Sequence, residues 1–358
     1  MIKILHSADW HLDAPISGHS PQQAEFLRRE LKKIPEKIAK LAKAENCDLM
    51  LLSGDLFNSP SASAETLRNL QSALAELAIP VFIAVGNHDY VCTGSPYEAD
   101  GWPDNVHIFK NPKIEEVSLP ELDCKIYGAG YTSMDSPGLL KGFQAAGEER
   151  WHLGVFHGDV ENAGSPYFPI TREQIRTSAL SYLASGHIHK GSSLRAGETL
   201  CAWPGCPMGR GYDELGAKGV IIVTLDEDVK ASFLPMDTPR FYDEEVEVGD
   251  NAADAVASLL PALHTDDFYR ITLTGYSTGI DTQKLEQAFT QVPNLTLRDE
   301  THPEMDLWGT VGEDSLEGVY FGFLQQAAQS DMETTRQRAK LAARISRQLL
   351  DDQEVKLP

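Results

Sequence analysis

The chain has 358 residues, 42% of them hydrophobic and 23% charged, which is enough apolar material for a full core and favours two domains over one. Those proportions exclude a disordered chain. Its formal charge of −22 argues against a protein that grips nucleic acid by itself, because phosphate binding normally leaves a basic footprint, although net charge does not decide what one local site does.

The N-terminal MIKILHSADWHL has no basic leader, apolar h-region or cleavage site, so no signal peptide is expected. No apolar run reaches the roughly 18 residues of a membrane span, and a cytoplasmic location away from membranes is the corresponding expectation. IKIL, after Met1, predicts a first strand. PQQAEFLRRELKKIPEKIAKLAKAE carries apolar residues at helical spacing, with Pro35 as a kink or a new first turn. DLMLLS from Asp48 predicts a second strand, SASAETLRNLQSALAELA a helix capped by Ser61 or Ser63, and VFIAV from Val81 a third strand. CKIYGA from Cys124, LGVF from Leu153 and YLAS from Tyr182 add three more. This alternation predicts an α/β sheet with parallel neighbours, and GVIIVTLDEDVKASFLPM from Gly219 reads as a hairpin that closes it.

Past Arg240 the order EEVEV, DAVASLLPAL, FYRITLTG, TQKLEQAF, LTLRD predicts a small βαβαβ unit. Asp331 to Asp352 reads as a solvated helix packed on the body, with Arg336, Arg338, Lys340, Arg344 and Arg347 set among apolar residues. The expected division is therefore 1–240, 241–310 and a helical tail over 311–358. Cys47, Cys92, Cys124, Cys201 and Cys206 are odd in number and lack CxxC spacing, so free thiols are expected.

Chemistry gathers at the carboxyl ends of the expected strands: Asp9 and His11 in HSADWH, Asp55 in SGD, Asn87, His88 and Asp89 in GNHD, His157 in FHGD, His187 and His189 in GHIH. Taken singly, each reads as a turn or a polar loop. Open α/β sheets bind ligands outside the carboxyl ends of their strands, so together these runs deliver metal-type side chains to one rim. Carboxylate, imidazole and one amide oxygen, without thiolate, suit manganese, iron or zinc. If Asp9, His11, Asp55, Asn87, His157, His187 and His189 are the ligands and Asp55 is shared, each of two ions receives four bonds and keeps room for a bridging water and a phosphate oxygen. His88 is then the natural proton donor to a leaving alkoxide, and Asp89 the group expected to hold its imidazole in one tautomer.

DxH, GD, GNHD, a later HG and GHxH resemble the signature of the calcineurin-like metallophosphoesterases. ILHSADWHLD and LLSGDLFN are similar, more narrowly, to the DNA repair exonuclease branch of the SbcD, YhaO and Mre-eleven type. The resemblance runs from Met1 to about Asp226, and the following unit is similar to that branch's capping domain. It implies a two-sheet αββα sandwich with a small C-terminal α/β capping domain and a helical tail. It also implies two divalent ions, manganese first and iron or zinc as alternatives. One would take Asp9, His11, Asp55 and His189, and the other Asp55, Asn87, His157 and His187. The family's catalytic histidine falls on His88.

The implied activity is phosphodiester hydrolysis by a metal-bridging hydroxide, on DNA, as an exonuclease or endonuclease. A small-molecule or nucleotide phosphoesterase is the alternative, and a non-catalytic scaffold a third reading. The implied partners are DNA and a coiled-coil ATPase of the SbcC/YhaN type, with a homodimer also open. Asn58 stands where relatives often carry Asp or His, and NSP where Ser/Thr protein phosphatases carry Asp-Arg-Gly. WPGCPMGRGYDELG resembles the Gly-rich loop that follows GHxH in relatives, in which Arg210 either meets a phosphate or holds a turn. His6 is expected to support the site from its strand, whereas His19, His107, His152, His264 and His302 are expected to be surface or structural residues.

Overall fold

A computed structural model describes residues 1–248, 251–277, 279–303 and 305–350. The chain divides into two compact units, one of Met1–Tyr242 with Asp266–Phe268, the other of Asp243–Thr265 with the residues from Tyr269 onward.

The first unit begins with β1 (Ile2–Ser7), α1 (Pro21–Lys32), α2 (Ile34–Ala44), β2 (Leu49–Ser53), α3 (Ala64–Ala75), β3 (Val81–Ala84) and β4 (Val106–Phe109). Ser20 and Gln23 form a reciprocal capping box at the start of α1. The helix pair breaks at Lys33 because Pro35, which has no N–H to give, belongs in a first turn. Of the two serines that could cap α3, Ser63 does so, accepting from Thr66 N at 3.1 Å.

Next come β5 (Glu115–Leu119), β6 (Cys124–Gly128), β7 (Trp151–His157), α4 (Arg172–Thr177), β8 (Tyr182–Gly186), β9 (Lys190–Ala196) and β10 (Thr199–Gly205), followed by β11 (Gly219–Leu225) and β12 (Val229–Pro235). Two six-stranded sheets result, in the orders β12-β11-β1-β2-β3-β4 and β5-β6-β7-β8-β10-β9. β1 to β4 run parallel, and the β11–β12 hairpin closes that sheet antiparallel to β1. In the other sheet β6, β7, β8 and β10 are parallel, with β5 and β9 as antiparallel edges.

Side chains alternate between the two faces of each strand. Ile4, Leu49, Leu51 and Phe82 meet Ile126, Leu153, Val155 and Tyr182 between the sheets. Leu5, Met50, Leu52 and Ile83 point the other way, against Leu27, Ile38 and Leu70 of the helices. A third cluster covers the outer face of the second sheet, where Phe156, Leu183 and Cys201 lie under Phe168 and Ile175. The arrangement is the αββα sandwich, and burial on both faces is why its central strands read as unbroken apolar runs.

The second unit holds all but the first residues of β13 (Phe241–Val248) and β14 (Phe268–Ser277), with α5 (Ala252–Leu259), α6 (Thr282–Ala288), β15 (Asn294–Asp299), a two-residue β16 (His302–Pro303), α7 (Leu316–Ala327) and α8 (Glu333–Leu350). Its sheet has the order β13-β14-β15, with β16 added to β14. α8 is the basic tail helix, and Asp351 and Asp352 lie outside the described residues. Two of its cations turn onto aromatic rings: Arg347 lies 4.2 Å from the Phe321 centroid and Arg344 3.6 Å from that of Tyr276. α7 carries an exposed apolar stripe at helical spacing, Leu316, Val319, Tyr320 and Phe323. Among the described residues no helix is long and apolar enough to cross a membrane, and all five cysteines are free thiols.

Candidate metal centre

Strand register brings the chemistry together. Ser7 lies beside Leu52, Ser53 beside Ala84, and His157 beside Gly186, so the strand ends finish nearly level within each sheet. The chains leaving β1 and β2 then run side by side: Asp9 N donates to Gly54 O and His11 N to Asp55 O, both at 3.0 Å, and Asn58 N donates to Leu12 O at 3.0 Å. These turns place Asp9 (φ 56°), His11 (φ 46°), Asp55 (φ 52°) and His187 (φ 83°) in left-handed backbone. Strain of that kind costs on the order of 1–3 kcal/mol per residue and persists where the surroundings over-determine it, most often at functional sites. Two glycines make the needed room, since a Cβ on Gly86 would overlap the Asp55 carboxylate and one on Gly54 the His157 imidazole.

All seven expected ligands converge. Asn87 Oδ1 lies 2.9 Å from His157 Nε2 and 3.1 Å from His187 Nδ1. Asp55 Oδ2 is 3.3 Å from His157 Nε2 and 3.7 Å from His11 Nε2. The Nε2 atoms of His11 and His189 face each other at 3.0 Å. Asp9 Oδ1 accepts from His187 N at 2.9 Å, while Asp9 Oδ2 and His11 Nδ1 are buried with no hydrogen-bond partner. Ligand atoms of Asp9, His11 and His189, of Asp9, Asp55 and His157, and of His11, Asp55 and His88 form three groups, each with its atoms within 4.8 Å of one another. His88 also stands edge-on to His11, with ring centroids 4.9 Å apart.

The tautomers suit cations. His157 Nδ1 is 2.8 Å from the Ser53 carbonyl and must donate to it, which turns the Nε2 lone pair toward Asn87 and Asp55. His189 Nδ1 is likewise tied to Glu214 Oε1 at 2.7 Å, leaving Nε2 toward His11. Burial pushes His11 down to about 3 and His187 to about 4, keeping both imidazoles in the neutral, ligating form. Burial would lower His157 too, but the Asp55 carboxylate outweighs it and lifts the ring to about 9, so a cation that takes the Nε2 lone pair must first displace a proton from it. Lone pairs crowded together, two orphaned buried atoms and a donor set of oxygen and nitrogen without sulfur all fit divalent cations.

Asp89 departs from expectation. Its carboxylate accepts from Gly86 N at 2.8 Å, Phe57 N at 3.1 Å and the Tyr97 hydroxyl at 2.5 Å, and among the described residues no bond joins it to the His88 imidazole. Adjacent residues at the end of a strand point different ways, so Asp89 braces the turn from beneath while His88 lies at the partly open mouth with His187 and His189. Burial, with the Asp55 charge, pushes Asp89 up to about 6. His6 lies between the sheets, 2.7 Å from the Tyr182 hydroxyl and 2.8 Å from Ser53 Oγ; burial takes it down to about 3 and leaves a neutral strut under the residue whose carbonyl holds His157. His19 is structural, packed against Phe241 and Phe268.

Sequence reasoning missed Glu214. This carboxylate receives Arg210 N at 2.8 Å and Arg210 Nη2 at 2.6 Å while holding His189, so Arg210 is committed to the loop. The signal lay in RGYDE, an acid four residues beyond an Arg in the loop after GHIH. Aromatic walls were missed as well: Tyr131 stands edge-on to His157 and Tyr167 lies 5.0 Å from His187. Partners that orient a metal-ligating His are worth about 10- to 100-fold in metal affinity, and Glu214→Gln is expected to lose that much in a manganese titration. Unchanged affinity would assign Glu214 to loop folding alone.

A family model described as calcineurin-like phosphoesterase matches residues 2–191. The chain is 32% identical over 238 residues to the uncharacterized metallophosphoesterase YhaO of Bacillus subtilis (strain 168), covering 62% of this chain and 57% of that one. It is 24% identical over 279 residues to the SbcD component of the nuclease SbcCD from the same organism, covering 65% of this chain and 68% of that one. The match therefore spans little more than half the length of YhaO. A dimetal phosphatase from Danio rerio overlaps 66% of this chain and 96% of its own at 13% identity with a TM-score of 0.41, a likeness too loose to carry an argument.

Proposed function

The chain belongs to the calcineurin-like phosphoesterase family, and on that premise we propose that it is a two-metal phosphodiesterase acting on DNA. One observation carries the chemistry: donors from five strand ends, in both sheets, meet around the buried Asp55 carboxylate. The likeness to YhaO and to SbcD supports the DNA repair exonuclease branch and, with it, DNA as substrate.

In this reading Asp9, His11, Asp55 and His189 hold one ion, and Asp55, Asn87, His157 and His187 the other, with manganese first and iron or zinc as alternatives. Two such ions, when bound, supply a clamp for the phosphoryl oxygens and a water of lowered pKa. The protein's own part is to fix the geometry and move a proton. Glu214 and the Ser53 carbonyl aim their imidazoles. Asp89 holds the GNHD turn, and His88, at the open mouth, gives a proton to the leaving oxygen. A coiled-coil ATPase partner is part of the same reading, since a chain of charge −22 gains from help in holding a polyanion.

That charge also favours the second reading, a phosphoesterase for small molecules. Purified protein with manganese, assayed on labelled single- and double-stranded DNA and on a simple aryl phosphodiester, separates the two. Cleavage of DNA that a chelator abolishes is the expected result. Hydrolysis of the aryl ester with every DNA end left intact would sink the DNA reading.

A further inference from the structure

A cleft of about 450 Å³ opens where the β9–β10 edge of one sheet meets the β11–β12 edge of the other, and it shares His189 with the candidate metal centre. Its charge is unlike that of the rest of the chain. Asp and Glu number 53 against 31 Lys and Arg, yet none of the acids lines this cleft, while Lys190 and Lys218 do. Lys218 is 8% exposed, and among the described residues neither lysine has an ion-pair partner. An ammonium in a cleft with no carboxylate beside it is available to an anion.

The apolar wall is equally specific. Phe233 stands directly across from Ile221 in the β11–β12 hairpin, on the face that elsewhere fills the space between the sheets. Phe233 is nevertheless 48% exposed. Trp203 also reaches the lining, and its Nε1–H ties β9 and β10 together by donating to the Lys190 carbonyl at 3.1 Å. An uncovered aromatic ring and two cations match the chemistry of a nucleoside monophosphate, in a volume ordinary for such a ligand.

We propose that this cleft holds one unpaired nucleotide of the substrate strand, beside the phosphate being cut, with its base on Phe233 and its phosphate on Lys218 and Lys190. The inference rests on the phosphodiesterase reading and narrows it. A base inside a duplex cannot lie flat on Phe233, so the preferred substrate is a single strand or a frayed end.

The test uses Phe233→Ala and Lys218→Met in the full chain with manganese, comparing kcat/KM on a single-stranded oligonucleotide with that on a simple aryl phosphodiester. Base stacking of this kind predicts that the oligonucleotide-to-ester ratio falls about tenfold in Phe233→Ala. The Lys218 variant should shift the ratio the same way, and should Lys218→Met fail to fold, Phe233→Ala, altered at an exposed edge, carries the test. An unchanged ratio in Phe233→Ala overturns the cleft and leaves the nuclease reading standing. If the wild type cuts only the ester, the DNA reading falls and a second measurement decides: binding of deoxyadenosine 5′-monophosphate to the metal-free chain. Binding weakened by Phe233→Ala keeps the cleft as a site for free nucleotides, and binding left unchanged, or none at all, overturns it.

Discussion

Asp55→Asn is expected to strip metal from both halves of the centre and to cut turnover by about a thousandfold, the several kcal/mol of charge stabilisation that bound metal supplies. The side chain is fully buried, with Oδ2 toward the Nε2 atoms of His157 and His11 and Oδ1 accepting from His88 N. Burial alone would raise its pKa, but the charge and hydrogen bond of His157 hold the group well below the usual carboxylate range, so it stays anionic. Asparagine keeps the shape and can still accept from His88 N. What it removes is the charge, and it adds an amide N–H₂ where lone pairs converge. Elemental mass spectrometry of the purified variant checks the claim directly, and two ions per chain in Asp55→Asn would remove Asp55 from the shared position.

His88→Ala should behave in the opposite way, with metal content near that of wild type and turnover lower by roughly a hundred- to ten-thousandfold, the usual worth of a positioned general acid. The reason is geometric. What secures Asp55 is the backbone N–H of residue 88, which alanine retains. The imidazole lies at the partly open mouth. It is also close enough to His11 and Asp55 to bind an ion, so the two roles separate in one experiment. Metal loss in His88→Ala equal to that in Asp55→Asn would make residue 88 a ligand and leave the proton donor unassigned.

Much of this was legible in the sequence, and the reason is physical. Central parallel strands are covered on both faces, so β1, β2, β3, β7 and β8 appear as unbroken apolar runs, and the fold puts its ligands immediately after them. Edge strands give no such signal: β9, KGSSLRA, is almost wholly exposed, and β4 and β5 mix buried with exposed positions. α7 falls inside the expected helical tail but was not delimited as a helix of its own, because LEGVYFGFLQQA holds two glycines and several β-branched or aromatic residues, poor helix formers that lie partly on a solvent face. At the site, sequence named the residues but not their directions. Asp89 follows His88 in the chain yet points into the turn, and Glu214 reaches His189 from 25 residues away. The left-handed backbone at Asp9, His11, Asp55 and His187 leaves no trace in residue type, since Asp and His occur in many conformations.

The spread of these donors along the chain also bears on how the protein folds. Asp9 and His189 are separated by half of it, and the residues between supply three of the six strands of one sheet and four of the six of the other. The ligand set therefore has a very high contact order: it comes into being only after β8 has docked, well behind the local helices and hairpins. Ions taken up at that stage would tie the two sheets across a long loop, and such ties gain from the loop entropy already spent in bringing the ends together. In that order a bound metal would seal sheets already brought together and would take no part in nucleating them.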